Sequence, residues 1–309
     1  MFGRAGIIRL LRVAVTLAVL ALLWRTVDGP GALDLLLGAD PVWLLAAVLA
    51  LNGQTVLSAL RWRLTARRLG QSITVGRAIR EYYLSQIVNQ SLPGGVVGDA
   101  GRAVRARHEA GLKRAGQAVV FERLAGQLAL FGVTGAAVLL VWLGPGGIVL
   151  PDWVLRLVAM TAGVVIVAAL VLLAISRSAL ASGRHVREWS AAFAASVLHP
   201  AVIWRQIFLS LATTALNLLA FAICARATGT SLPLTAVAII VPLILLTMLI
   251  PISVSGWGLR EGAAAALFPV IGATATEGFA ASFAFGLMFL VSVLPGVVFL
   301  LIHPRPQSA

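Results

Sequence analysis

The chain has 309 residues, of which 60% are hydrophobic and only 11% charged, against roughly 25% charged in an average soluble domain. At a mean hydropathy of +0.98 that apolar surface exceeds what a soluble core can bury, and it excludes intrinsic disorder, which needs low hydrophobicity. The formal net charge of +13 has no soluble basic domain to sit on, so it speaks for basic loops beside lipid headgroups and against nucleic acid.

A membrane span needs about 20 mainly apolar residues. Residues 1–12 carry Arg4, Arg9 and Arg12 ahead of an apolar stretch from Val13 to Trp24. Arg25, Thr26, Val27 and Asp28 follow it, with no small-residue cleavage site, so it reads as a retained first span. Asp28, Asp34 and Asp40 mark the next loop, and a second span at about 42–60 ends in Arg61, Arg63, Arg67, Arg68, Arg77 and Arg80. The positive-inside rule then puts the N-terminus and residues 61–80 in the cytoplasm, for a multi-pass protein of the cytoplasmic (inner) membrane. Arg61-Trp62-Arg63 reads as an interfacial anchor, and Tyr82 and Tyr83 as anchors or as platforms for a headgroup.

Residues 81–102 form no ordinary loop. Leu84–Val97 is too short to span and too apolar for a solvated connection, and Pro93, Gly94, Gly95 and Gly98 break any helix there. Basic charge on both sides predicts a segment that dips into the membrane and returns to the cytoplasmic side. Further spans are expected at about 118–142, 154–175, 206–225, 233–250 and 279–302, with 189–204 lying flat on the interface. A second broken segment occupies 250–272. The whole predicts an all-α polytopic membrane protein, residues 1–309 forming a single transmembrane domain of seven or eight transmembrane helices with a short tail at 303–309.

The broken segments share a pattern. Pro93 and Gly98 are five residues apart, as are Pro251 and Gly256, and an acid and an arginine follow each: Asp99 with Arg102, and Arg260 with Glu261. Paired Pro/Gly-interrupted segments in two halves, suggesting an inverted repeat, point to a transporter's binding site, because broken helices expose backbone polar groups that must line a cavity or meet a ligand. Of the acids, Asp28, Asp34, Asp40, Asp152 and Glu277 fall on expected loops, while Glu109 and Glu188 have basic neighbours. Glu81, Asp99, Glu122 and Glu261 remain at or inside the membrane boundary, where charge marks a pathway or an ion pair. Glu122 and Arg123 point about 100° apart on a helix and are expected to pair with other segments. Arg102 and Arg260 are expected to converge on one cavity. One cysteine, Cys224, and four histidines give no metal-ligand spacing, and the sequence offers no cofactor motif and no Walker-type loop for ATP.

The runs RWRLTARRLG, EYYLSQIVNQSLPGGVVGDAGRAVRA, AGQAVVFERLAG and PISVSGWGLREGAA together resemble the flippase-like transmembrane region of lysylphosphatidylglycerol synthases and its stand-alone relatives, over about residues 40–300. The motif positions carried over are Asn89, Pro93, Gly94, Gly95, Gly98, Asp99, Arg102, Glu122, Arg123, Gly256, Gly258, Arg260 and Glu261. Residues 253–255 read Ser-Val-Ser where the pattern would carry a further glycine. The resemblance implies a bacterial or archaeal translocase of a phospholipid or lipid-linked headgroup, working by alternating access, with anionic or polyprenyl-linked membrane lipids as partners. The two-domain synthases carry a soluble aminoacyl-transfer domain, whereas this sequence runs seven residues past Ile302, so a stand-alone member that charges no lipid is expected. Two other readings stay open: a membrane-embedded transferase acting on polyprenyl phosphates, and a non-catalytic partner of a separate synthase or glycosyltransferase.

Overall fold

The computed structural model describes residues 4–91, 96–143, 151–178, 181–250 and 253–301; among them the chain forms thirteen α-helices and two short 3-10 turns, and no strand. Pro93, Gly94, Gly95, Pro251 and the tail at 303–309 lie outside the described residues. Five segments are long and apolar enough to cross a membrane: α3 (Pro41–Arg68), α6 (Arg107–Leu143), α7 (Asp152–Arg177), α9 (Ile203–Ala227), and α12 (Ala275–Ser292) continued by α13 (Pro295–Leu301). The helices α1 (Arg4–Thr26) and α2 (Gly29–Leu37) meet at a 97° bend and make a sixth span if taken as one. The described helices therefore give five or six spans where seven or eight were expected. The expected span at 233–250 is the short α10 (Leu234–Leu246) with a 3-10 turn, and at 1.5 Å per residue the two together cover about 24 Å, less than a hydrocarbon core of about 30 Å.

The two ends of the bundle differ in charge. At one end, acids cap helices: Asp28 accepts from Gly31 N of α2, Asp40 from Val42 N of α3, and Glu277 forms a capping box with Thr274 at the start of α12. These caps are tied together, since Asp40 N donates to Ala227 O at the end of α9 and Thr230 donates to Glu277. The other end is basic. There Arg63 donates to Ile73 O, Glu109 binds Ser72 and Arg77, and Lys113 pairs with Glu188 of α8 (Ala181–Ser196). The aromatic rings of Trp189 and Phe193 on α8 pack edge-on against Phe121, so the helix clamps across the bundle at that end.

Both broken segments are helical hairpins. α4 (Val75–Ser91) descends from the basic end and α5 (Val97–Arg105) climbs back along it, as the pairs Glu81–Arg105, Ser85–Asp99 and Asn89–Gly98 show. Gly98 is what lets the legs touch: a Cβ there would overlap the Ser85 carbonyl. The second hairpin is α10 with α11 (Leu259–Leu267), and it opens at the acidic end. Thr230, just before α10, binds Glu277, and Ala264 near the end of α11 abuts Gly278. Each hairpin has its own hydrophobic core. Trp62, Ala66, Tyr82, Ala103 and Phe121 enclose the first, and Phe221, Ile240, Ile244, Phe268 and Phe285 the second. The two hairpins point at each other from opposite ends and meet at their tips, where Ser255 Oγ donates to Asn89 O at 2.8 Å.

Candidate functional site

Polar residues recur at helical spacing on otherwise apolar helices and face one another around the hairpin tips. α3 offers Gln54, Ser58 and Arg61; α4 offers Tyr82, Gln86, Asn89 and Gln90. α6 adds Glu122, Arg123 and Gln127, and α9 adds Thr213, Thr214 and Asn217. With Met248 and Ser255 from the second hairpin they line a cavity of about 240 Å³. In a protein whose helices are apolar enough to cross a membrane, such a wall is costly unless its polar groups serve each other or a ligand.

An ion cluster forms one side of the cavity. Glu122, 1% exposed, accepts from Arg61 at 2.6 Å, from Tyr82 Oη at 3.2 Å and, through its second oxygen, from Arg102 at 3.4 Å. Asp99 accepts from Arg102 at 2.9 Å and from Ser85 Oγ at 2.8 Å, and pairs through its other oxygen with Arg123. Glu122 and Arg123 thus pair with other segments, as their angular offset requires. Arg61 also donates to Thr213 at 2.9 Å. Arg102 is fully enclosed, its guanidinium stacked between Tyr82 at 4.4 Å and Trp62 at 4.6 Å. Arg123, by contrast, keeps 42% of its side-chain surface open while lining the cavity. Three arginines here meet two carboxylates, so the cluster retains one positive charge.

The second hairpin holds a separate unit, completed by Ser282 of α12. Arg260 binds Glu261 at 2.5 Å and Ser282 at 3.0 Å, and lies over the Trp257 ring at 5.1 Å. Glu261 also accepts from Gly258 N at 2.6 Å, closing the first turn of α11. Gly256 and Gly258 have φ of 81° and 85°, and a Cβ at Gly258 would crowd Val19 of α1. Ser255 takes φ of 49°, a left-handed conformation that favours glycine, within the stretch where the sequence pattern leads one to expect another glycine.

Of the residues singled out in the sequence, Asn89, Glu122 and Arg123 line the cavity, while Asp99 and Arg102 stand behind them in the ion cluster. Gly98 joins the hairpin legs, and Gly256, Gly258, Arg260 and Glu261 build the second tip. Arg102 and Arg260 do not converge. Among the described residues they share no partner and neither is in the cavity wall, because Arg102 is held by Asp99 of its own hairpin and Glu122 of α6, and Arg260 by its neighbour Glu261. The anchor reading of Arg61 and Trp62 is also corrected: α3 continues to Arg68, and both side chains are buried in the cluster. Tyr82 and Tyr83 are buried as well, and Tyr83 donates to Asn52 at 2.5 Å. Arg61, Gln54, Ser58 and the α9 hydroxyls went unrecognised, although their i, i+3/i+4 polar stripes on apolar helices are visible in the sequence.

No curated protein matches the chain. The family model described as "Lysylphosphatidylglycerol synthase TM region" matches residues 9–296, so most of the bundle, both hairpins and the whole ion cluster fall inside it. The chain belongs to that family of membrane domains.

Proposed function

We propose that this membrane protein is a flippase-like translocase that moves the headgroup of a phospholipid or lipid-linked compound across the cytoplasmic membrane. The observation that carries the reading is the polar cavity at the meeting point of two hairpins that open at opposite ends of the bundle. Its leftover positive charge and the partly exposed side chain of Arg123 in the cavity wall suit a headgroup phosphate, which arginine binds through paired N–H donors. The acyl chains stay in the bilayer beside the apolar helices. Parting of the tips at Asn89 and Ser255 would open the cavity first to one end and then to the other. Asp99 and Glu122 hold the arginines in place and keep a substrate-free cavity from accumulating repulsive charge.

The basic end, with residues 61–80, 100–116 and α8, is assigned to the cytoplasm together with the N-terminus, and the acid-capped end to the outside. The transport reading is tested in proteoliposomes carrying fluorescent phospholipids in one leaflet. Protein-dependent passage to the other leaflet supports it, and rates equal to those of protein-free vesicles contradict it.

A further inference from the structure

Resting on the translocase reading, we infer that Arg123 is passed between Asp99 and the headgroup phosphate, so that Asp99 converts arrival of a phosphate into release of the first hairpin and afterwards recovers the arginine. The three arginines of the cluster are not equally available. Every guanidinium nitrogen of Arg61 already donates, two to Glu122 and the third to Ser210 and Thr213. Arg102 is enclosed between Tyr82 and Trp62 and does not border the cavity. Arg123 borders the cavity, keeps 42% of its side-chain surface open and has one ion pair among the described residues, with Asp99. A phosphate entering the cavity therefore meets a guanidinium held by a single carboxylate oxygen. A phosphodiester offers that guanidinium the same paired acceptors as a carboxylate does.

Asp99 is placed to couple that transfer to movement. It lies in the first turn of α5, and its Oδ1 accepts from Ser85 of α4 at 2.8 Å and from Arg102 of α5 at 2.9 Å, both inside the first hairpin. Its Oδ2 reaches Arg123 on α6. One carboxylate thus spans the joint between hairpin and bundle. Three other polar ties across that joint are long: Arg102 to Glu122 at 3.4 Å, Tyr82 to Glu122 at 3.2 Å and Arg77 to Glu109 at 3.6 Å. Passing Arg123 to a phosphate keeps the hairpin intact through Oδ1 and cuts its tie to α6 through Oδ2. The charges balance, because the empty cluster carries one positive charge and a phosphodiester neutralises it. When Asp99 reclaims the arginine, the phosphate is let go, so the carboxylate weakens binding and speeds release.

The test is calorimetry on the purified full chain in detergent, with dioctanoyl phosphatidylglycerol, which carries the phosphate, and dioctanoylglycerol, which lacks it. Asp99→Asn keeps the shape and reduces the competitor to a neutral amide. It should bind the phospholipid about tenfold tighter than wild type and move it about tenfold more slowly in proteoliposomes, whereas loss of a merely structural acid would weaken both. In an Arg123→Gln background the gain from Asp99→Asn should shrink to about twofold or less. A gain that persists there, an equal gain for dioctanoylglycerol, or no gain at all overturns the inference. Inorganic phosphate should bind more weakly than the phospholipid; equal affinity would assign the site to a free anion and overturn the headgroup assignment. If Asp99→Asn does not fold, amide hydrogen exchange in the wild type decides. Phosphatidylglycerol, and not dioctanoylglycerol, should speed exchange at residues 97–105, and protection or no change there contradicts release of the hairpin. Tighter binding by Asp99→Asn with no lipid movement by the wild type sinks the translocase reading and leaves the arginine transfer standing. Movement by Asp99→Asn at the wild-type rate sinks the transfer alone.

Discussion

The hydroxyl of Ser255 donates to the backbone carbonyl of Asn89 at 2.8 Å, joining two hairpin tips that are 166 residues apart in the chain. Both residues border the cavity, so this contact lies across the route a headgroup would take. Ser255 holds it from a left-handed backbone with φ of 49°. Ser255→Ala removes the bond and keeps the strain, whereas Ser255→Gly removes both. Thermal unfolding should show the alanine variant destabilised by about 0.5–1.5 kcal/mol, with the glycine variant closer to wild type. A glycine variant weaker than the alanine one contradicts this account of the tip.

Two of the three arginines of the ion cluster, Arg102 and Arg123, differ in environment. Arg102 is enclosed and touches both carboxylates, so Arg102→Gln strands charge inside the protein and should cost about 3–5 kcal/mol of stability. Arg123 is open to the cavity, so Arg123→Gln should leave the melting temperature nearly unchanged while transport falls. Melting curves and proteoliposome rates on the same preparations check both statements. A stable Arg102→Gln variant, or a fully active Arg123→Gln variant, would reverse the roles.

Gly98 sits where α4 and α5 cross, with no room for a side chain against the Ser85 carbonyl. Gly98→Ala should splay the hairpin and destabilise the protein by about 1–3 kcal/mol. Gly132 of α6 has open space at its Cβ position, and Gly132→Ala should be neutral or slightly stabilising. Equal melting temperatures for the two variants would mean that the close approach at Gly98 is unimportant.

Arg102 and Arg260 belong to separate clusters without a common partner. Combining Arg102→Gln with Arg260→Gln should therefore give stability losses that add within about 0.3–0.5 kcal/mol. A large coupling energy would restore the single shared site that the matching Pro–Gly spacing suggests.

Much of this design is legible in the sequence. The Pro–Gly breaks at 93–98 and 251–256 mark both hairpins, and scarcity alone isolates Glu81, Asp99, Glu122 and Glu261, all of them buried. The return of the first segment to its own side follows from the arginines that flank it. What the chain conceals is pairing across long distances. Arg61 looks like a helix-end anchor until Glu122 is known to lie beside it, and Arg102 looks free to meet Arg260 until Asp99 and Glu122 claim it. Span counting errs at 233–250 for a related reason. Hydropathy registers the apolar surface of α10 but not its end at Leu246, where the second hairpin turns.

The central claim is that headgroups pass between the two hairpin tips, and locking those tips together tests it most directly. In a Cys224→Ser background, Asn89→Cys and Ser255→Cys can be joined by a short thiol cross-linker that reducing agent cleaves. Lipid movement in proteoliposomes should stop on cross-linking and return on reduction, while the rate of either single cysteine variant, whatever its level, does not change with the cross-linker. Undiminished movement with the tips quantitatively joined would contradict the account.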